Sequence, residues 1–257
     1  NFMYAKTFFD GMKAEGQENI INLLRCAWAG SQKYGALVWS GDIKSSFPSM
    51  KNQVAAGLNM GIAGIPWWTT DIGGFFGANI NDPEFHELLV RWFEYGCFCP
   101  VMRLHGYRWP LQPQYGTTGG ATCVSGAPNE VWSYTDQVCE ILSDYLRLRE
   151  RMLPYITELM EEAHEKGTPV MRPLFYDFPE DKESWNVETE YMFGPKVLVK
   201  PITDADARET DVYLPGGASW TNAWTGETFE GGQKVHVAAP IEQIPLFTRD
   251  GYKLPMK

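Results

Sequence analysis

Four predominantly apolar segments constrain the fold of this chain more than any other feature of its sequence. They lie at residues 20–24, 36–39, 62–68 and 97–102. A strand that is covered on both faces is apolar throughout, whereas a strand with one solvated face alternates between apolar and polar residues. The four segments therefore predict strands in the interior of a sheet that other elements cover on both sides.

Helical patterns before and between these segments indicate how the predicted strands are connected. Residues 4–14, 49–58 and 83–95 carry apolar residues at helical spacing. Strand and helix alternate about every thirty residues, which is the length of a βαβ unit, so the sequence predicts a parallel sheet. A further helical region, residues 130–166, is expected to break at Pro154 and to end at Gly167.

The composition changes after residue 190. Short apolar runs separated by Gly and Pro occur at residues 197–199, 211–214, 235–237 and 244–247. Such runs are typical of a small antiparallel β domain. We therefore expect two domains, residues 1–190 and residues 191–257.

Charge and hydropathy exclude two classes of partner. The 257 residues include 22 Lys and Arg against 32 Asp and Glu, which gives a net charge of −10. Nucleic-acid binding requires a concentrated basic surface, so nucleic acid is not an expected partner. No stretch approaches the roughly 18 consecutive apolar residues of a membrane-spanning helix, so we expect a soluble chain with no membrane partner.

The five cysteines favour free thiols over disulfides or metal sites. Cys97 and Cys99 are two residues apart, which fits neither a zinc site nor a redox pair. We expect the thiols to be free and buried. Because the sequence also contains no Asn-x-Ser/Thr glycosylation site, it mildly favours a reducing compartment, and we expect a cytoplasmic location.

Polar residues follow the four apolar segments near the point where each predicted strand ends. These residues are Arg25, Asp42, Asp71 and His105. The carboxyl ends of the strands of a parallel barrel meet at one face, so the four side chains are expected to share a pocket. Each residue alone could equally be a helix cap or an ion-pair partner. Aromatic residues such as Trp39 and Phe75 lie nearby, and carboxylates among rings suit a sugar ligand.

Longer motifs around these residues resemble those of a known family. Residues 25–43 read RCAWAGSQKYGALVWSGDI, which resembles the signature of glycoside hydrolase family 31, the α-glucosidase and α-xylosidase family. Further similar segments follow in the family's order at residues 55–61, 64–75, 91–93, 100–106, 171–174 and 191–195. The resemblance covers nearly the whole chain.

The resemblance implies a fold and a catalytic residue. The expected fold is the C-terminal half of a (β/α)8 TIM barrel, from its fifth to its eighth strand, followed by a small antiparallel β-sandwich domain. The family uses a retaining mechanism with two aspartates, and its Trp-x-Gly-Asp motif places the general acid/base at Asp42. Apolar neighbours such as Trp39 are expected to raise the pKa of this carboxyl. The family's nucleophile would precede residue 1, so we expect the chain to be a fragment of a longer protein.

The resemblance also implies a substrate and its binding residues. Arg25, Asp71 and His105 would bind the sugar, with Trp39 and Phe75 as apolar walls. The substrate would be an oligosaccharide ending in α-linked glucose or xylose, and the sequence leaves these two sugars open. No metal or other cofactor is implied. Because the nucleophile is absent from these residues, a non-catalytic carbohydrate-binding or structural module is the alternative function.

Overall fold

The computed structural model describes residues 1–256. Its first part contains a parallel sheet of three strands in sequence order, in which Asn22 is opposite Ala36 and Val38 is opposite Trp68. The strands are β1 (Asn22–Leu24), β2 (Ala36–Trp39) and β3 (Trp68–Thr69). A second parallel pair, β4 (Ala78–Asn79) and β5 (Arg108–Trp109), lies beyond the carboxyl end of this sheet. The predicted parallel sheet is confirmed.

One helix precedes the first strand and two connect later strands, close to where the sequence predicts them. They are α1 (Phe2–Ala14), α2 (Phe47–Ile62) and α3 (Pro83–Cys97). Ser46 caps α2 by accepting a hydrogen bond from the Ser49 backbone N–H, and Asp82 caps α3 in the same way through Glu84. The apolar face of α3 is buried against the next long helix, α4 (Asp136–Arg151).

Two of the four predicted strands differ from the structure. Residue 62 ends helix α2, so the third strand is limited to Trp68–Thr69. The fourth segment, residues 97–102, forms no strand, because Cys97 ends helix α3. Its chain nevertheless runs beside β3, since the Val101 N–H donates to the Trp68 carbonyl and Ile72 forms a parallel bridge with Leu104. A short apolar run does not distinguish a buried helix end from a strand.

The long helical region is divided as predicted. Helix α4 ends at Arg151, and α5 (Leu153–Lys166) begins with Pro154 in its first turn. Gly167 ends α5 in the left-handed conformation at a φ of 71°, where the absence of a Cβ removes strain. The region begins later than expected, because residues 131–133 form a short 3₁₀ helix and Thr135 caps α4.

The second part is an antiparallel β structure in two layers. Its strands are β6 (Met171–Pro173), β7 (Tyr191–Phe193), β8 (Val197–Val199), β9 (Glu209–Leu214), β10 (Ser219–Asn222), β11 (Thr228–Glu230), β12 (Gln233–Ala238) and β13 (Leu246–Arg249). One layer is a sheet in the order β11-β10-β13-β8-β7-β6, and the other is the antiparallel pair of β9 and β12. Leu198, Val212, Trp220 and Phe247 fill the core between the layers, next to the short helix α6 (Leu174–Asp177).

The antiparallel sheet includes residues on both sides of the predicted domain boundary. Strand β6 precedes residue 190 and pairs with β7, which follows it, with Met171 opposite Phe193. The division of the chain at residue 190 stays a prediction.

A buried arginine joins the two parts of the chain. Arg91 on α3 is fully buried, pairs with Glu94 one turn further on, and donates to the Ala207, Ala239 and Pro240 carbonyls of the β structure. Four of the five hydrogen bonds of this guanidinium satisfy backbone carbonyls, and the fifth goes to the Glu94 carboxylate. The β structure is thus attached to α3.

The cysteines are all free, but only part of the expected burial is observed. Cys97 and Cys99 are buried, and burial raises the pKa of both thiols to about 12. Cys26 and Cys123 are instead exposed, because both lie in loops. Among the described residues, no helix combines the length and the apolar character that crossing a bilayer requires.

Candidate active site

Three of the four predicted polar site residues follow strands of the parallel sheet, and the fourth follows a segment that runs beside it. Arg25 comes directly after β1, Asp42 lies three residues after β2, and Asp71 lies two residues after β3. His105 follows Leu104, which forms the parallel bridge to Ile72. Because parallel strands have their carboxyl ends at one edge, the four residues lie at the same edge of the sheet.

Arg25 and Asp42 form an ion pair at this edge. Arg25 Nη2 donates to Asp42 Oδ1 at 3.3 Å, and the guanidinium lies 5.3 Å from the ring centre of Trp39. The two side chains are 64% and 45% exposed, so the pair contributes little to stability. The apolar wall expected around the Asp42 carboxyl is incomplete, because the described residues leave it in contact with solvent.

Asp71 has the opposite environment. Its side chain is completely buried, its Oδ1 accepts a hydrogen bond from Arg103, and its Oδ2 has no partner among the described residues. Burial raises the pKa of the Asp71 carboxyl above its ordinary value, and the charges of Arg103 and His105 oppose this increase. A buried carboxylate oxygen without a partner can accept a hydrogen bond from a ligand hydroxyl.

The sequence analysis did not identify Arg103 as a site residue. Its guanidinium pairs with Asp71 and lies 6.0 Å from the ring centre of Trp39. Residues two apart in an extended chain point to the same side, so Arg103 and His105 project in one direction. This spacing was the signal in the sequence that could have identified Arg103.

Aromatic rings form one wall of the site. The Phe75 ring lies 5.6 Å from the His105 ring and 5.6 Å from the Tyr107 ring, which meets it edge-on at 87°. The Tyr107 N–H donates to the Phe75 carbonyl at 2.9 Å, which fixes the backbone on which both rings are placed. Phe75 thus lies beside His105, and its role as an apolar wall stays a prediction.

A buried arginine holds the turn between Asp71 and Phe75. Arg108 is fully buried and donates to the Gly74 carbonyl at 2.8 Å and to the Ile72 carbonyl at 3.2 Å. Gly74 has a φ of 77°, and a Cβ atom there would lie 2.6 Å from the Ser45 Cα. The turn therefore requires glycine for its conformation and for its close packing.

The structure brings the predicted residues together across adjacent strands. The hydroxyls of Ser40 and Thr70 lie 3.4 Å apart and join the ends of β2 and β3. The charges of both Asp42 and His105 act on the pKa of Asp71. The edge therefore carries an exposed carboxyl, a buried carboxyl, two arginines, a histidine and two aromatic side chains. Among residues 1–256, no group of three or more His, Cys, Asp or Glu could hold a metal ion.

This set of groups can bind and protonate a neutral polyhydroxylated ligand. Asp71, Arg103 and His105 offer hydrogen bonds to hydroxyls, and Trp39 and Phe75 offer flat apolar surfaces. Asp42 is open to solvent and to a ligand and can exchange a proton with either. The roles of the individual residues stay predictions.

Comparisons with known proteins agree with the geometry over the whole chain. Residues 1–159 match the family model of the glycosyl hydrolases family 31 TIM-barrel domain, and residues 167–254 match that of the glycosyl hydrolase family 31 C-terminal domain. An alpha-xylosidase of Saccharolobus solfataricus is 37% identical over 254 residues, 99% of this chain and 32% of the relative. Alpha-glucosidase 2 of Bacillus thermoamyloliquefaciens is 34% identical over 97% of this chain and 29% of its own length.

A solved structure is similar in both fold and sequence. It is the crystal structure of a GH31 alpha-xylosidase from a soil metagenome complexed with xylose, with a TM-score of 0.94 and 54% identity. The match covers 98% of this chain and 38% of that one. The chain spans about a third of the length of the curated relatives it matches, 32% and 29% in the two cases above.

Proposed function

The chain belongs to glycoside hydrolase family 31, and we propose that it supplies the acid/base and most of the sugar-binding residues of a retaining α-glycosidase. The observation that carries this proposal is the placement of Arg25, Asp42, Asp71 and His105 at one edge of the parallel sheet. The nucleophile of the reaction lies outside residues 1–257.

The proposed reaction has two steps. In the first step, the protonated carboxyl of Asp42 gives its proton to the glycosidic oxygen while the nucleophilic carboxylate attacks the anomeric carbon. The bond to the leaving sugar breaks, and a covalent glycosyl-enzyme forms. In the second step, the Asp42 carboxylate takes a proton from water as the water attacks the anomeric carbon and releases the nucleophile. Two carboxyls about 5–5.5 Å apart suit this double displacement.

The other residues of the edge hold the sugar during the reaction. Asp71 Oδ2, which has no partner in the described part of the chain, accepts a hydrogen bond from a sugar hydroxyl, and the ion pair with Arg103 keeps the carboxylate in place. Hydrogen bonds from hydroxyls to such a charged group strengthen as the ring acquires oxocarbenium character. Arg25 makes one exposed contact with Asp42, so it can move to a second carboxylate when one is present.

We further propose α-linked xylose at the nonreducing end of an oligosaccharide as the preferred substrate. This choice is supported by the alpha-xylosidases of Saccharolobus solfataricus and of the soil metagenome, which are 37% and 54% identical to this chain. The competing substrate is α-linked glucose, for which the enzyme of Bacillus thermoamyloliquefaciens is named. The ratio of kcat/KM for matched α-xylosides and α-glucosides decides between them.

The variant Asp42→Asn tests the role of the acid/base. In the protein that carries this chain together with the upstream segment of its relatives, we expect kcat/KM for an α-linked disaccharide, which reports the first step, to fall by about 10²–10⁴-fold. The value of kcat/KM for α-xylosyl fluoride should be much less affected, because fluoride leaves without a proton. The matched control is Asp144→Asn, an exposed aspartate on α4 that pairs only with Arg147.

Two results would contradict this assignment. If kcat/KM falls equally for the disaccharide and for the fluoride, Asp42 does not protonate the leaving group. A loss with Asp144→Asn similar to that with Asp42→Asn would indicate a general effect of charge.

A further inference from the structure

A groove with two exposed aromatic rings opens beside the candidate active site. It has a volume of about 650 Å³ and is lined by Tyr115, Ala127, Asn129, Glu130, Trp132 and Ser133, which we call the aromatic groove. Trp132 is 73% exposed and Tyr115 is 79% exposed. Two large rings that line one groove offer flat apolar surfaces to a ligand.

The aromatic groove lies on the same face of the barrel as the candidate active site. Its residues belong to the segment between Leu104, which pairs with Ile72 at the carboxyl end of the sheet, and Thr135, which caps α4. In a parallel barrel, such a segment forms the rim around the site at the carboxyl ends of the strands.

A continuous set of contacts joins the groove to the site. Phe75 contacts Tyr107 edge-on, and the backbone at Gly126 packs so closely on Tyr107 that a Cβ there would lie 3.0 Å from the Tyr107 Cβ. Asn129 Nδ2 donates to the carbonyl of Gly106, the residue directly after His105, at 3.2 Å. One wall of the groove is therefore attached to the residues that we assign to sugar binding.

The polar groups of the groove are held in fixed positions. Asn129 Oδ1 accepts from Arg108 Nε at 3.1 Å and from the Tyr134 hydroxyl at 2.6 Å. Glu130 Oε2 accepts from the Ser133 hydroxyl at 2.9 Å, and its Oε1 accepts no hydrogen bond from residues 1–256. Hydrogen bonds from its own backbone N–H and from Ser133 hold the pKa of Glu130 below its ordinary value, so the group is a carboxylate acceptor at neutral pH.

We propose that the aromatic groove binds the leaving-group sugar of the substrate, the residue on the far side of the cleaved bond. The inference rests on the proposed function. A neutral sugar presents an apolar face to Trp132 or Tyr115 and hydroxyls to Glu130, and the contacts through Tyr107 and Asn129 set its distance from the bond that breaks. The rings then select among leaving groups without acting on the chemistry of the sugar that is transferred.

The test compares a substrate that has a leaving-group sugar with one that lacks it. The probes are a disaccharide with α-linked xylose at its nonreducing end and α-xylosyl fluoride, assayed with the protein extended upstream to the length of its relatives. For Trp132→Ala, we expect the ratio of kcat/KM for the disaccharide to kcat/KM for the fluoride to fall about 10-fold, which corresponds to about 1.4 kcal/mol. Trp132→Phe, which keeps a ring, should restore most of the ratio.

A matched control removes a comparable ring elsewhere. Trp185 is 59% exposed and lies in the β structure, and Trp185→Ala should leave the ratio unchanged. Parallel losses on both substrates in Trp132→Ala would overturn the inference, because they would show that the ring supports the site as a whole. If the ratio is unchanged and Trp132→Ala alters the sedimentation coefficient, the groove binds a second copy of the chain. That result would also overturn the inference.

A binding measurement separates this inference from the proposed function. If the unmodified protein fails to hydrolyse the fluoride, the proposed function is wrong. Binding of free glucose, followed by the broadening of its NMR signals, then decides the inference alone. The aromatic groove is supported as a sugar site if the NMR signals broaden with the unmodified protein and with Trp185→Ala but not with Trp132→Ala. If the signals broaden with none of the three proteins, the inference is wrong.

Discussion

Asp42 and Asp71 are aspartates at the ends of neighbouring strands, yet they have different surroundings. Asp42 is 45% exposed, and its carboxyl contacts the long side chain of Arg25. Asp71 is completely buried and pairs with Arg103. The solvent-facing carboxyl is suited to exchange protons with a substrate. The buried carboxyl is suited to a fixed hydrogen bond, because its ion pair limits its movement.

Asp71→Asn tests the role of the buried carboxylate. The amide keeps the shape of the side chain but loses the charge-assisted hydrogen bonds to Arg103 and to a sugar hydroxyl. Hydrogen bonds to charged groups contribute about 1.5–3 kcal/mol, so we expect kcat/KM to fall by about 10- to 150-fold. Steady-state kinetics and the melting temperature, measured together, separate a loss of binding from a loss of folding. Unchanged kinetics would exclude Asp71 from the sugar site.

The sequence identified the residues at the strand ends but not their partners. Asp42 and Asp71 could be identified because each follows an apolar segment and belongs to a long motif. Arg103 also follows an apolar segment and lies in the motif at residues 100–106, but its role depends on a contact with Asp71, 32 positions away, which the sequence does not show. The exposure of Asp42 was also missed, since exposure depends on the neighbours that the fold places around a residue.

At the scale of elements, short turns determine where the strand ends are placed. The turn from Asp71 to Phe75 contains Gly73 and Gly74, both with positive φ, and Arg108 holds the carbonyls on either side of Gly73. Periodicity predicted the helices α1 and α3 closely, because long amphipathic segments have a clear repeat. It failed for the fourth apolar segment, where Cys97 ends a buried helix and the next residues form no strand.

Gly74→Ala tests how far this turn depends on close packing. Gly74 has a φ of 77° and would place a Cβ 2.6 Å from the Ser45 Cα, whereas Gly226 has the same φ with nothing within 4 Å. Both substitutions carry the strain of a positive φ, roughly 1 kcal/mol, but only Gly74→Ala adds a clash with backbone. We expect Gly74→Ala to lower the melting temperature more than Gly226→Ala does and to reduce kcat/KM. Equal melting temperatures would show that the turn can move away from Ser45.

At the scale of the whole molecule, the two parts of the chain share one core. The Phe98 and Phe193 rings lie 5.9 Å apart across the boundary between them, and the Tyr191 hydroxyl donates to the Phe98 carbonyl. Arg91 and Glu94 add a buried polar cluster to this contact. The sequence predicted an α/β part and a β part correctly, but it could not predict this junction, because the contacting residues are about a hundred or more positions apart.

The buried cluster predicts that stability depends on pH. Burial raises the pKa of Glu94 to about 8, although Arg91 and Tyr145 oppose the increase. The folded protein therefore keeps a proton on Glu94 between pH 4.5 and about 8, a range in which the unfolded chain releases it. The contribution of Glu94 is complete below pH 4.5 and is lost as the pH rises to about 8. Thermal melts should show a smaller decrease over this range for Glu94→Gln than for the unmodified protein, and parallel curves would contradict the prediction.

Strand β1 is the outermost strand of the parallel sheet, and its unpaired side leads to a prediction for residues 1–257 expressed alone. Strand β1 pairs only with β2 among the described residues, so its other edge has unpaired backbone groups. Ile21, which precedes the strand, and Leu23 within it are 58% and 44% exposed. An open apolar edge strand pairs readily with other chains, and a lysine on such a strand opposes this pairing. We therefore expect the isolated chain to self-associate at micromolar concentrations in sedimentation velocity, and we expect Leu23→Lys to reduce this association.

A second leucine separates the effect of the strand edge from that of exposed apolar surface in general. Leu146 is 43% exposed, nearly the same fraction as Leu23, but it lies on helix α4, whose backbone hydrogen bonds are made within the helix. Leu146→Lys changes charge and apolar area as Leu23→Lys does, and it leaves the edge of β1 unaltered. If association occurs through that edge, only Leu23→Lys reduces it. Equal reductions would instead attribute the association to apolar area alone, and a monomeric unmodified chain would show that the edge does not recruit other chains.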